Sequence, residues 1–121
     1  MRYQNFSLIL ILMILLESCS SSKEDISLIK ETNQQAELMA TYSEAMENLI
    51  NNDTYFAAKK FLEAELLFPQ SEWASRAALM ASYSFYMQNY YAEALSNLER
   101  FLKTYPKDKE LAYAHYLIAM C

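Results

Sequence analysis

Glycine is absent from all 121 residues. Phosphate-cradling loops, dinucleotide-binding fingerprints and the nucleophile elbow of hydrolases all depend on it, because only a residue without Cβ adopts positive φ freely or lets a ligand approach the backbone closely. None of these sites can be present in its ordinary form. With only two prolines and abundant Ala, Leu, Met, Glu and Lys, the composition favours a chain built of helices.

The apolar periodicity agrees. Leu38, Tyr42, Ala45, Met46 and Leu49 recur at the spacing of a helix buried on one side. Asn51-Asn52-Asp53 then interrupts with turn-forming residues, and Asp53 is a candidate N-cap for a second helix. Ala58, Phe61, Leu62, Glu65 and Leu66 continue the pattern to Phe68-Pro69, where proline ends it. A third helix is expected from Glu72 to Met87, with Ala74, Ala77, Ala78, Ala81 and Phe85 inside and a turn at Gln88-Asn89. A fourth, from Tyr90 to Thr104, carries Ala94, Leu95, Leu98, Phe101 and Leu102 and ends at Tyr105-Pro106. Asp108 is a candidate cap for a fifth, running from Lys109 to the end of the chain.

The second pair of helices repeats the first. Tyr55 aligns with Tyr91, Ala58 with Ala94, Leu62 with Leu98, Glu63 with Glu99 and Leu66 with Leu102, an interval of about 36 residues. Self-similarity at that period predicts an all-α helical-hairpin solenoid, in which neighbouring repeats bury one continuous core. Tyr91-x-x-Ala94-x-x-x-Leu98 followed by Pro106 resembles the second half of a tetratricopeptide repeat, whereas Met46 and Ser82 stand where its first half has a small glycine. About two and a half degenerate repeats are expected, over residues 35–121.

Ahead of the repeats, Arg2 precedes an unbroken apolar run from Leu8 to Leu16, and Leu16-Glu17-Ser18-Cys19 leads into a polar stretch. Residues 1–18 read as a secretory signal peptide, since the run is shorter than the roughly 20 apolar residues a membrane-spanning helix needs. The segment resembles the signal of bacterial lipoproteins, in which cleavage before a cysteine leaves that residue lipidated. The resemblance assigns a covalent lipid to Cys19; an uncleaved anchor or a plain secretory signal are the alternatives. Residues 19–34 then form the lipidated cysteine and a flexible tether. Removing residues 1–18 takes away Arg2 and Glu17, so the mature chain keeps the net charge of -5. Such a surface argues against nucleic acid as a partner. Cys121 is the only other cysteine, and no disulfide framework follows.

Catalytic chemistry finds little footing. His115 is the only histidine, without a second His or a positioned Cys to complete a metal site or a catalytic pair. Glu44, Glu47, Glu63, Glu65, Glu93 and Glu99 are accounted for by solvated helix faces and i,i+4 pairs such as Glu99 with Lys103. Neither an enzyme nor a metal or organic cofactor is expected. Tyrosine is the informative residue, at ten in the chain and crowded into its second half. In the repeat frame Arg76, Leu79, Tyr83, Tyr86, Met87, Tyr113, Tyr116 and Met120 fall on or beside the inner face formed by the first helices of successive repeats. Aromatic and thioether groups on such a face suit an extended peptide, although packing between helices accounts for part of the set. Trp73 is expected to pack between repeats.

An ordered string of segments carries a more specific resemblance. Phe68-Pro69-Gln70-Ser71-Glu72-Trp73-Ala74, Ala81-Ser82-Tyr83-Ser84-Phe85-Tyr86, Tyr91-Ala92-Glu93-Ala94 with Leu98-Glu99-Arg100-Phe101-Leu102, Tyr105-Pro106 and Tyr113-Ala114-His115-Tyr116-Leu117 resemble the amino-terminal half of the BamD family. These are tetratricopeptide-type lipoproteins of the outer-membrane β-barrel assembly machinery. The resemblance implies a non-catalytic scaffold, anchored to the outer membrane by lipid and facing the periplasm. Its implied partners are the barrel-forming subunit, other lipoproteins of the machinery and unfolded outer-membrane proteins. Ser20, after the lipid-bearing cysteine, is compatible with export to the outer membrane. In the family the amino-terminal repeats contact substrate and the carboxy-terminal repeats dock on the barrel subunit, so only the first role maps onto residues here. The last helix is expected to stop inside a third repeat, as in a truncated reading frame. Other readings of the same architecture are a periplasmic lipoprotein that coordinates envelope complexes, or an activator of a cell-wall enzyme.

Overall fold

A computed structural model describes residues 24–121, with 24–31 described by their backbone alone. The expected signal peptide and Cys19 lie outside the described residues. Among the described residues five helices follow one another: α1 (Glu24–Ile50), α2 (Thr54–Leu67), α3 (Glu72–Met87), α4 (Tyr91–Thr104) and α5 (Leu111–Met120). No strand occurs among the described residues. Each described helix packs on the next in sequence, and α1 also touches α3 lightly. This nearest-neighbour pattern is that of a helical solenoid, as the internal repeat predicts.

The first helix corrects the expected tether, because from Glu24 through Gln34 the chain is helical. That segment holds no proline or glycine and joins without a break to the packed part of α1, so a helix nucleated by packing propagates back through it. α1 has 27 residues against 14 in α2, and its first half therefore runs roughly 20 Å past the hairpin at 1.5 Å per residue.

A chain without glycine must close its hairpins by other means, and asparagine does so. Asn52 and Asn89 have φ of 63° and 62°, the left-handed region that otherwise favours glycine. Asp53 N–H donates to Asn48 C=O at 2.8 Å and Asn52 N–H to Leu49 C=O at 3.1 Å; Tyr90 N–H donates to Phe85 C=O at 3.0 Å and Asn89 N–H to Tyr86 C=O at 2.9 Å. Both α1 and α3 thus end in the same Schellman motif. Asn52→Val is expected to cost about 1–2 kcal/mol, while Asn52→Gly changes stability by no more than about 0.5 kcal/mol. Urea unfolding checks this, and equal losses in the two variants would show that the amide group, not the positive φ, sets the turn.

Helix starts follow the expected signals less uniformly. Ser71 Oγ accepts from Ala74 N–H at 3.2 Å and caps α3. Asp53 occupies the N-cap of α2 with its side chain unused; its carbonyl receives the Ala57 N–H at 2.9 Å. Asp108 Oδ1 accepts from Glu110 N–H at 2.8 Å, a local turn that delays the start of α5 to Leu111.

Three apolar clusters carry the packing, the smallest made of Ala58, Phe85 and Ala94. Phe61 and Leu38 centre the first, between α1, α2 and α3, with small Ala45, Ala64, Ala77 and Ala81 letting the helices approach. Leu79, Leu98, Phe101 and Leu117 centre the second, between α3, α4 and α5. Glu65 ties the repeats together and corrects the expectation of a solvated carboxylate. It is 4% exposed and stands at the repeat position that Phe101 fills in the next unit. Arg100 Nη1 and Nη2 donate to its two oxygens at 2.7 Å each, and Tyr105 Oη donates to Oε1 at 2.8 Å. The hydrogen bonds to Glu65 hold the Arg100 proton more firmly still. Burial, and then the bond to Glu65, push the Tyr105 hydroxyl well above the usual phenol range. Among the described residues Lys60 also bridges Glu44 and Glu63 at 3.1 Å, and the expected Glu99–Lys103 pair does not form.

Candidate binding surface

The helix α3 is the spine of the surface. Its small residues Ala74, Ala77, Ala78 and Ala81 are buried against neighbours, which leaves one arc that the other described helices do not cover. Trp73, Arg76, Met80, Tyr83 and Met87 occupy that arc at intervals of three and four residues, the first four half-buried and Met87 48% exposed. On one side α1 contributes Met39, Tyr42, Met46 and Ile50, which with Ser43, Glu47 and Trp73 line an apolar groove of about 440 Å³. On the other, α5 contributes Tyr113, Tyr116 and Met120, all exposed.

Aromatic contacts fix the groove floor. The Tyr42 ring meets Phe61 edge-on at 5.0 Å and Trp73 at 5.3 Å, so the core reaches the surface through a continuous stack. The Arg76 guanidinium lies 4.8 Å over the Trp73 ring, and among the described residues no carboxylate pairs with it. Burial raises the Tyr42 hydroxyl above its ordinary pKa, opposed by the Arg76 charge. At the far end Tyr113 and Tyr116 lie 6.2 Å apart, and burial followed by the neighbouring phenols of Tyr83, Tyr116 and Tyr86 raises the Tyr113 hydroxyl. Arg76 also borders a polar cavity of about 320 Å³ with Glu72, Ser75, Lys107, Asp108 and Lys109.

Residues 34–121 match the sequence profile of a family described as YfiO, outer membrane lipoprotein. The chain belongs to the YfiO family. Among curated proteins it is 36% identical over 103 residues to an outer membrane protein assembly factor BamD of Caulobacter vibrioides, covering 85% of this chain and 33% of that protein. It is 28% identical over 114 residues to the BamD of Rickettsia prowazekii, covering 94% and 43% respectively. The BamD of Neisseria gonorrhoeae is 35% identical over 77 residues, covering 63% and 28%. The chain spans less than half the length of each of these relatives. No solved structure gives a match. The resemblance read from the sequence is thereby borne out, and YfiO membership associates the chain with the outer membrane and with lipid anchorage.

In this YfiO chain the residues singled out from the sequence divide into two groups. Arg76, Tyr83, Met87, Tyr113, Tyr116 and Met120 share the uncovered face, and Tyr86 lies beside it, 5.8 Å from the ring of Tyr91. Leu79 does not belong there, because it is 7% exposed and packs with Leu98, Phe101 and Leu117 beneath the surface. The sequence reading missed the α1 wall of Met39, Tyr42, Met46 and Ile50, and Met80 on α3. Trp73 does pack between repeats as expected, and it also lines the groove. His115 is exposed, and no group of three or more His, Cys, Asp or Glu suited to a metal occurs among the described residues. No described helix is long and apolar enough to cross a membrane.

Proposed function

We propose that the chain is a non-catalytic scaffold and peptide receptor, held at the outer membrane by lipid on Cys19 and facing the periplasm, that serves the assembly of β-barrel outer-membrane proteins. Its partners on this reading are the barrel-forming subunit and lipoproteins of the assembly machinery, and unfolded outer-membrane proteins are its ligands. The uncovered stripe of Trp73, Arg76, Met80, Tyr83 and Met87, flanked by the α1 groove and the α5 tyrosines, carries the reading. It offers apolar area with polar tips along about 20 Å of helix, the length of an extended segment of about six residues. The names of the curated relatives support the process in which it acts.

Tyr83→Ala combined with Tyr116→Ala is expected to weaken binding of an unfolded outer-membrane protein about tenfold, with helix content unchanged. Fluorescence anisotropy and circular dichroism read the two quantities. Unchanged affinity in the double variant would remove these tyrosines from the site.

A further inference from the structure

The distribution of methionine is the observation that reaches furthest. Beyond residue 18 the chain has five, Met39, Met46, Met80, Met87 and Met120, and all lie on the first helices of the repeats, α1, α3 and α5. The second helices α2 and α4 carry none. Among the described residues none of the buried hydrophobics is methionine; they are Ala, Leu and Phe. Met39 and Met46 line the groove with Tyr42 and Trp73, Met80 and Met87 continue along α3, and Met87 and Met120 are each 48% exposed. The molecule thus leaves every one of these thioethers partly accessible, Met39, Met46 and Met80 half-buried at the edge of the first cluster and Met87 and Met120 exposed.

We propose that these methionines form a reversible modification site: oxidation to the sulfoxide by a peroxide turns the groove from apolar to polar and releases the apolar segment it holds. The proposal rests on the peptide-binding reading above and adds its regulation. In the step, a sulfur lone pair attacks one peroxide oxygen, the S–O bond forms and the O–O bond breaks. The proton on the transferred oxygen passes to the departing hydroxide, which leaves as water. Sulfur loses two electrons and the peroxide gains them. A thioether wall binds by excluding water, whereas a sulfoxide is a polar, chiral acceptor that holds water and loses part of its hydration when covered. Met39, Met46 and Met80 are half-buried and pack against the first cluster, but its fully buried residues are Ala, Leu and Phe, which do not react, so the helices are expected to stay folded. Methionine sulfoxide reductases act on each epimer, so the change can be undone.

Trp73, the only tryptophan, sits in the groove beside Met39 and Met46 and reports its polarity directly. The chain from Cys19 onward, lipidated there and carrying Cys121→Ser to remove its remaining thiol, is treated with hydrogen peroxide, and each sulfoxide is located by mass spectrometry. Binding is measured with a peptide of about twelve residues that alternates Phe, Val and Tyr with Ser, Thr and Lys. Oxidation is expected to shift Trp73 emission to the red and to lower peptide affinity about tenfold with helix content unchanged. Treatment with methionine sulfoxide reductases should restore both, and a variant with all five methionines replaced by Leu should respond in neither. The proposal is overturned if sulfoxides form while emission and affinity stay constant, or if helix content falls in step with them. Should the reduced protein bind no peptide while Trp73 still answers reversibly to oxidation, the peptide reading fails and the oxidation-sensitive groove stands.

Discussion

Phe61→Ala is expected to lower the unfolding free energy by about 3–5 kcal/mol, a large part of the roughly 5–15 kcal/mol that holds a small domain together. The ring is fully buried among Leu38, Ala45, Ala57, Ala64, Ala77 and Ala81, and small neighbours cannot swing in to fill the space it leaves. The damage reaches beyond the core, because Phe61 supports Tyr42 at 5.0 Å and Tyr42 supports Trp73 at 5.3 Å. Urea unfolding should therefore show the loss, and Trp73 emission should move to the red in the folded variant. Leu66→Ala is the control, five residues further along the same helix at 75% exposure, and should change stability by less than about 0.5 kcal/mol. A loss below about 1 kcal/mol for Phe61→Ala would mean that the first cluster is not a closed core.

The sequence announces helix boundaries where punctuation is strong and blurs them elsewhere. α3 and α4 start and end within a residue of expectation because Pro69 with Ser71 bounds α3 in front, Asn89 in its left-handed turn separates the two helices, and Pro106 follows α4. The start of α1 is less legible. Glu24 to Gln34 is polar enough to look like a linker, and nothing in its composition records that packing further along will nucleate a helix through it. Site residues show a similar division. Arg76, Tyr83 and Met87 follow from helical periodicity, but Leu79 precedes Met80 by one position, and one position turns a side chain by about 100°. That rotation carries Leu79 into the second cluster. Of the α1 wall, Tyr42 and Met46 belong to the stripe that periodicity assigns to the core, since half-burial and full burial share one periodicity, and Met39 and Ile50 fall outside that stripe. The methionine bias toward first helices was present in the sequence and is the signal that would have found the wall.

Glu65 was the least legible residue, and its chemistry yields the other large expected effect. A glutamate on an apolar stripe reads as solvated until its partner is known, and Arg100 and Tyr105 stand 35 and 40 residues away. Arg100→Met leaves the Glu65 carboxylate 4% exposed with a single hydrogen bond from Tyr105. Losing one partner of a fully buried pair costs about 3–5 kcal/mol. The Arg100 side chain is 41% exposed, so water can reach the vacated space, and about 2–3 kcal/mol is expected here. Glu65→Leu combined with Arg100→Met removes both charges from a position where the second repeat places Phe101. If the pair chiefly neutralises a buried charge, the double variant should lie within about 1 kcal/mol of the parent chain, a coupling that a double-mutant cycle measures directly. A double variant as unstable as Arg100→Met alone would give the ion pair a different task, holding the two repeats at a defined angle by its bidentate geometry, since apolar packing would then have failed to replace it.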